Sequence, residues 1–394
     1  MRDGTILISE SVTPGHPDKL CDRISDAAID AFLRQDIWAR AIVECAVATG
    51  IVFIAARFAA EAVVDLPGLA RRVIAEAGYV GEGFDARTCS ILTSVSELPT
   101  TDRAPHVEAL DEEEEIAAFA ATEQANVFGY AADETPALMP SPIVLAHRLA
   151  RALDAARAQL PWLGPDGKTQ AGVVYRGGRP AELATVSLTV ATLEGTPPHH
   201  VMERVLREAV IEPALAEAEP RLGPRTEVHV NAGGPFAIGG PSRHAGLTGR
   251  KNGIDTYGEA ARQSGAALSG KDPSRIDRVA AYAARHAAKC VVAARLARRC
   301  EVHLGYVIGH ARPVSIGVEC FGTARIDDEE IARRLRALFD FRPAAIERRF
   351  ALRRLAHAAD EERGFFRPLA VYGQMGREDL AVPWEAVAEA EALR

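Results

Sequence analysis

The sequence predicts a mixed α+β protein made of three segments of similar size. Three observations carry that expectation. At about 100–200 residues per domain, a chain of 394 residues implies two to three domains, each able to bury a core. Runs with helical spacing alternate with short strand-like runs. The strand-like runs pair as hairpins through turn residues, without a regular βαβ order. No repeat is visible at the level of the sequence itself.

The first segment, 1–98, opens its helix at Pro17, where the missing N–H costs nothing. Leu20, Ile24, Ala27, Ala28, Ala31 and Phe32 follow at helical spacing. Asp18, Asp22, Asp26 and Asp30 recur every fourth residue. The last three read as a solvated face, whereas Asp18 stands at the helix mouth beside His16. "AIVECAVA" and "IVFIAARF" are strand-like and meet at a Thr49-Gly50 turn, with Glu44 in the first and Arg57 in the second. Pro99, Pro105 and the acidic run "DEEEE" (111–115) mark 99–116 as a loop or linker, the acidic run being a solvated helix start. The second segment, 117–235, holds an extended pair in "GVVYRGGRPAELATVSLTVATL" and a helix in "HHVMERVLREAVIEPAL". The third, 236–394, opens on "GGPSRHAGLTGRK" (239–251). It continues into a long helix over "GKDPSRIDRVAAYAARHAAKCVVAARLARRC", with Asp272 as N-cap and Pro273 at its first position. Strands "EVHLGYVIG" and "SIGVECFG" follow.

Composition narrows the function. A net charge of −8 argues against a general affinity for nucleic acid or anionic membranes, so any anion site must be built locally. No apolar run reaches the ~18 residues needed to span a membrane, and "MRDGTILISE" lacks a secretory pattern. Six cysteines lack C-x-x-C or metal-ligand spacing; they read as reduced, buried thiols of a cytoplasmic protein, and zinc is not expected.

Three clusters carry chemistry. His16, Asp18 and Lys19 sit at a helix start. Gly246 to Lys251 is a glycine-rich turn ending in two cations, Arg250 and Lys251. "SGKDPSRID" (269–277) sets Lys271 ahead of a helix N-terminus, with Arg275 and Asp277 in its first turns. A helix N-terminus with cations suits an anion, and an aspartate among cations suits Mg²⁺ bridging to phosphate. Together the clusters ask for a ligand with several phosphates. Neither the P-loop pattern nor a G-x-G-x-x-G between strand and helix is present, nor a recognisable acyl-transfer set.

"SESVTPGHPDK", "FGYAADETPALMP", "GGPSRHAGLTGRK", "DTYG", "SGKDPSRIDRVAAYAAR" and "YGQMGRE…VPWE" occur in this order. On these motifs the chain resembles the S-adenosylmethionine synthetase (methionine adenosyltransferase) family over about residues 8–385. The resemblance implies three α+β domains around a pseudo-threefold axis. It implies a homodimer with active sites at the subunit interface, and leaves open whether dimers pair. The family's thioether sulfur attacks C5′ of ATP, the triphosphate leaves, and it is cleaved to pyrophosphate and phosphate. Such an attack needs no base; orientation and charge stabilisation supply the catalysis. By resemblance, His16 hydrogen-bonds the departing oxygen, and Asp18 and Asp277 hold two Mg²⁺ per site. Lys168, Arg250, Lys251, Lys271 and Arg275 grip the phosphates. Glu44 holds K⁺, Phe236 stacks on adenine and Asp166 contacts the ribose.

The departures from the family cluster on the acceptor side. Glu123 in "TEQA" stands where the family has the aspartate of G-D-Q-G. Arg57 replaces an acidic residue, His244 an aspartate, Arg243 a glycine, and Pro235 the arginine before the stacking aromatic. Arg275 replaces the family's lysine. With Arg57, Glu123 and His244 assigned to the acceptor, three readings stand. The first is adenosyl transfer to an anionic thioether lacking an ammonium, the second ordinary transfer to methionine. The third is a catalytically weak partner of a true synthetase.

Overall fold

The computed structural model describes residues 4–81, 83–107 and 113–394. The chain runs three times through one pattern: strand, helix, hairpin, helix. The first pass is β1 (Thr5–Val12), α1 (Pro17–Gln35), β2 (Arg40–Ala48), β3 (Ile51–Ala59), α2 (Leu66–Ala77) and β4 (Ser90–Glu97). After α3 (Glu113–Ala118), the second is β5 (Ala125–Ala132), α4 (Ser141–Ala156), β6 (Leu163–Arg176), β7 (Arg179–Thr192), α5 (His199–Leu206), α6 (Glu212–Leu215) and β8 (Glu227–Val230). One π turn, Arg207–Ile211, joins α5 to α6. The third is β9 (Gly246–Leu247), α7 (Asn252–Asp255), α8 (Ile276–Ala293), β10 (Arg299–Tyr306), β11 (Ser315–Glu319) and α9 (Asp328–Leu338), followed by α10 (Pro343–Phe350) and α11 (Leu352–Ala358).

The sheets do not follow the passes. Their strand orders are β4-β3-β2-β9, β1-β6-β7-β8 and β11-β10-β5. Each pass thus sends its first strand, antiparallel, into the hairpin sheet of another pass: β1 onto β6, β5 onto β10, β9 onto β2. The exchange is cyclic, which is the pseudo-threefold arrangement of three mixed α/β units. The helix after each donated strand covers its own hairpin: α1 on β2, α4 on β6, α8 on β10. Hairpins form where expected, with Thr49 at φ 52° in the first turn and Gly177 and Gly178 at positive φ in the second. The sequence reading missed two parallel pairs, β3 with β4 and β7 with β8, each closed across intervening helices.

Two expectations about helices fail. Asp22, Asp26 and Asp30 are not a solvated face: α1 is buried from Pro17 to Leu33. The aspartates are paid for by N–H donors from other elements. Asp18 accepts from Leu247 N (3.1 Å), Asp22 from Gly249 N (2.7 Å), Asp26 from Gly270 N (2.8 Å) and Asp30 from Phe366 N (2.9 Å). Asp26 also receives the buried Arg278 guanidinium through two bonds of 2.7 and 2.9 Å. The four-residue period therefore marks a ladder of acceptors that fastens distant loops to one helix. The second failure is the start of α8. It begins at Ile276, with Arg275 at the N-cap position, and ends at Ala293, short of Cys300. Asp272 does not cap it, because its carboxylate is taken by Ala41 N (2.8 Å), Ser274 N (2.8 Å) and Arg353 (2.6 Å).

Within the 99–116 loop, residues 108–112 lie outside the described residues. Glu113 to Glu115 open α3 as expected, and Glu113 binds Arg342 (2.6 Å). All six cysteines are free and buried. Among the described residues no helix is long and apolar enough to cross a membrane.

Candidate active site

The mouth of α1 and the glycine-rich stretch form one body. Gly246 lies against α1 so closely that a Cβ there would meet the Pro17 carbonyl carbon at 2.2 Å. Gly240, at φ +73°, would put a Cβ 2.1 Å from the Tyr79 hydroxyl oxygen. Packing therefore requires these two glycines, and the loop is held against α1 through Asp18 and Asp22.

His16 caps α1 and is 2% exposed. Burial, with help from His244, Lys168 and Lys251 and against Asp166, pushes its pKa down to about 3, so the ring is neutral near pH 7. Its Nδ1 accepts the Asp18 N–H at 3.2 Å. A backbone N–H can only donate, so Nδ1 bears the lone pair and Nε2 carries the proton. The buried helix start thus presents a neutral donor of fixed tautomer. Asp166, at the start of β6, is fully buried. Its Oδ2 accepts from Gly240 N (2.8 Å) and lies 2.8 Å from His244 Nε2, while Oδ1 has no hydrogen-bond partner among the described residues. Burial opposes its charge, but the His244 bond, His16 and the Gly240 N–H hold the carboxyl below the usual range. The His244 ring stands edge-on to His16 at 5.0 Å and 6.5 Å from Phe236. His16, Asp166 and His244 have the residue types of a metal triad. The His16 tautomer argues otherwise, since Nε2 bears a proton and Nδ1 is taken. Cations complete this first cluster: Arg250 is 3.7 Å from Asp18, Lys251 pairs with Glu10 (2.8 Å), and Lys168 pairs in register with Val12 on β1.

A second cluster sits at the other end of β2. Lys271 forms a bridge with Ile42 and pairs with Asp277 (2.6 Å). Arg275 pairs with Glu123. These two departures from the family pattern are therefore the two ends of one ion pair, a longer acid meeting a wider cation. Arg57 lies opposite Ile42, and Glu44 opposite Ala55, both exposed on the outer sheet face. Gly246 pairs with Val47, five residues along the strand from Ile42. At about 3.3 Å per residue the clusters stand roughly 16 Å apart in one chain. His16, Asp18, Asp166, Lys168, Phe236, His244, Arg250 and Lys251 come together. Lys271, Arg275, Asp277 and Glu123 gather where α8 starts, beside the Ile42 end of β2, with Arg57 opposite Ile42 and Glu44 two residues along that strand.

Three family models match the chain. They are the S-adenosylmethionine synthetase N-terminal domain over residues 4–99, the central domain over 118–236 and the C-terminal domain over 238–386. The chain belongs to the S-adenosylmethionine synthetase family. It is accordingly an enzyme, a transferase of the methionine adenosyltransferase kind. It is 44% identical to the S-adenosylmethionine synthase of Trichodesmium erythraeum, over 99% of this chain and 96% of that protein. It is 45% identical to that of Prochlorococcus marinus strain MIT 9313 (98% and 94%), and 42% identical to that of Microcystis aeruginosa (99% and 97%).

Within this synthetase-family chain Lys19 is structural. It is fully buried between Asp22 (2.9 Å) and Asp255, and those carboxylates hold its ammonium protonated against the cost of burial. Sequence reasoning gave no role to Asp255, Arg278 or Arg353; the first two lie inside the quoted motifs, but their charged partners Lys19 and Asp26, like Asp272 for Arg353, are 81 to 252 residues away. It also expected no soft-ligand cluster, yet His286, Cys290 and Glu389 converge within 4.8 Å. Four residues and then 99 separate them, a spacing that no ligand pattern covers.

Proposed function

We propose that the enzyme moves the adenosyl group of ATP to the sulfur of a thioether, methionine or a methionine-like acceptor. The S–C5′ bond forms as the C5′–O bond breaks. Triphosphate leaves and is then hydrolysed by one water to pyrophosphate and phosphate. The observation that carries this reading is His16: a buried imidazole held neutral, with its proton fixed on Nε2, beside Lys168, Arg250 and Lys251. A thioether brings no proton, so the useful group is a donor to the departing oxygen, not a base. The orphan Oδ1 of Asp166 would accept a ribose hydroxyl, and Phe236 would offer its face to adenine.

Asp18 and Asp277, each beside cations, offer the hard oxygen donors that Mg²⁺ takes when it is shared with phosphate. Bound Mg²⁺ would neutralise charge on the triphosphate; Glu44 would hold K⁺. Each aspartate belongs to a different cluster, which supports a two-chain site. The outer face of β4-β3-β2-β9 exposes Ile51, Phe53, Leu92 and Leu247 beside the first cluster. A homodimer across this face would cover that apolar patch and bring the Lys271 end of one copy to the His16 end of the other. Free cysteines throughout fit a cytoplasmic setting.

For the acceptor, Arg57 favours an anionic end without an ammonium, and the relatives' name favours methionine. His244 contributes less directly, because its Nε2 is engaged by Asp166. The test incubates thioethers with and without an amino group with ATP and Mg²⁺, and reads adenosyl adducts by mass spectrometry. The anionic reading expects Arg57→Glu with His244→Asp to raise the kcat/KM ratio for methionine over its amino-free analogue. A wild type that strongly prefers methionine, and a double variant that weakens this preference, would refute it. No adduct with any thioether would refute the transfer itself.

A further inference from the structure

We infer that His286, Cys290 and Glu389 form a binding site for a single zinc-class divalent cation, separate from the triphosphate residues. His286 and Cys290 are four apart on α8, on one face. Glu389 reaches them from the C-terminal 3₁₀ turn, Ala388–Leu393. One ligand atom of each lies within 4.8 Å of the others. Asp277, at the start of the same helix, is thirteen residues from Cys290, about 20 Å along the axis.

The independent sign of a ligand is the imidazole. His286 is 2% exposed, and among the described residues neither ring nitrogen has an aligned hydrogen-bond partner, the Glu389 carboxylate and the Trp384 backbone being its polar neighbours. Nε2 stands 3.2 Å from Glu389 Oε2 without hydrogen-bond alignment. The rings of Phe339 and Phe350 stand edge-on to it at 5.4 and 5.6 Å and satisfy nothing polar. Two ring nitrogens without an aligned partner, beside a buried thiol and a carboxylate, leave this cluster imperfectly satisfied. One cation would satisfy all three.

The donor set selects the ion. Imidazole nitrogen, thiolate sulfur and carboxylate oxygen suit zinc and its near neighbours, and do not suit Mg²⁺. Three protein ligands leave the fourth tetrahedral position to water. Thiolate and carboxylate together cancel the charge of the ion. Burial pushes the Cys290 thiol up to about 12, Glu389 adding to this and Arg349, Lys289 and Arg285 opposing it. Binding therefore forms an S–metal bond and releases the thiol proton to solvent. The nearby cations are already engaged: Arg349 with Glu389 Oε1 (2.8 Å), Lys289 and Arg285 with Glu385 (both 2.8 Å). The Glu389 side chain is 30% exposed and gives the ion a way in.

The test uses the purified full-length protein, stripped of divalent ions and titrated with Co²⁺ and then Zn²⁺. The expected result is a thiolate-to-cobalt charge-transfer absorption that saturates at one Co²⁺ per chain, with proton release, and that Zn²⁺ abolishes. Cys290→Ser should remove the absorption. Glu389→Gln, at a partly exposed position, should weaken Co²⁺ binding at least about tenfold, and it keeps the test decisive should Cys290→Ser fail to fold. Absence of thiolate absorption, its survival in Cys290→Ser, or unchanged affinity in Glu389→Gln would each overturn the assignment.

Discussion

Asp30→Asn should change how stability depends on pH. Asp30 is 4% exposed in the middle of α1 and accepts the Phe366 and Arg367 N–H groups. Burial, reinforced by Asp26 and opposed by those N–H groups, raises its pKa from 3.8 to about 7. A carboxyl whose folded pKa is raised is easier to protonate in the folded state. Its contribution to stability is therefore intact below 3.8 and is lost as pH climbs from there through 7. At about 1.36 kcal/mol per unit, this group costs roughly 1.6 kcal/mol at pH 5 and roughly 4 kcal/mol at pH 8. Asparagine keeps an acceptor oxygen and does not ionise. Any fixed cost of its amide is the same at both pH values and cancels. The wild type should therefore lose about 3 kcal/mol relative to the variant between pH 5 and pH 8. With about 2.1 cal/mol/K per residue, 394 residues make that close to 3 °C in Tm. Calorimetric or denaturant melts of both proteins at both pH values, at equal protein concentration, supply the comparison. A gap between them that stays constant within about 0.5 kcal/mol would refute the buried-carboxyl reasoning.

Asp26→Ala strips the buried Arg278 guanidinium of its partner and should cost about 3–5 kcal/mol, measured as a Tm drop; a loss below about 1 kcal/mol would mean that water replaces the carboxylate. Lys271→Ala or Asp277→Asn should slow triphosphate release by about 10²–10³, and near-normal turnover in a rapid-quench assay would remove them from the site. Phe53→Asp should shift the protein to monomers in sedimentation velocity and abolish adenosyl transfer along with it; active monomers would contradict a shared site. Activity should vanish in EDTA and survive a zinc-selective chelator, because the phosphate-side donors are hard oxygens and the zinc-class cluster lies elsewhere.

What could be read in advance follows a physical divide. The hairpins at Thr49-Gly50 and Gly177-Gly178 rest on turn conformations that neighbouring residues impose, and they form as expected. The helix start read at Pro17 forms there, with His16 and Asp18 at its mouth. Asp22, Asp26 and Asp30 were misread because a four-residue period gives the same pattern whether the face meets water or N–H donors from another part of the chain. The available signal was the rest of α1, whose other positions are mostly alanine or apolar, so that no side was left to lie against the core alone. Asp272 was misread for a related reason. Its local partners favoured a cap, but Arg353, 81 residues on, made the stronger claim. The exchange of strands between segments was illegible, since β9 is two residues long and gains its place by pairing with Ala46 and Val47 and by packing on α1.

That exchange has a consequence for how the chain comes into being on the ribosome. The sheet of the first hairpin waits for a strand almost two hundred residues downstream, while β1 waits for β6. The second and third hairpins meet strands already made, β1 and β5, but the first keeps a bare edge until β9 arrives, and β1 and β5 stay unpaired until their host hairpins emerge. Such a chain should acquire its tertiary structure late and in one cooperative step, and should lean on holdase chaperones during synthesis. Excising one unit, or grafting it elsewhere, would orphan two sheets at once. The ring thus ties all three units to a single inheritance, and variation is left to side chains such as Arg57 and His244 on its rim.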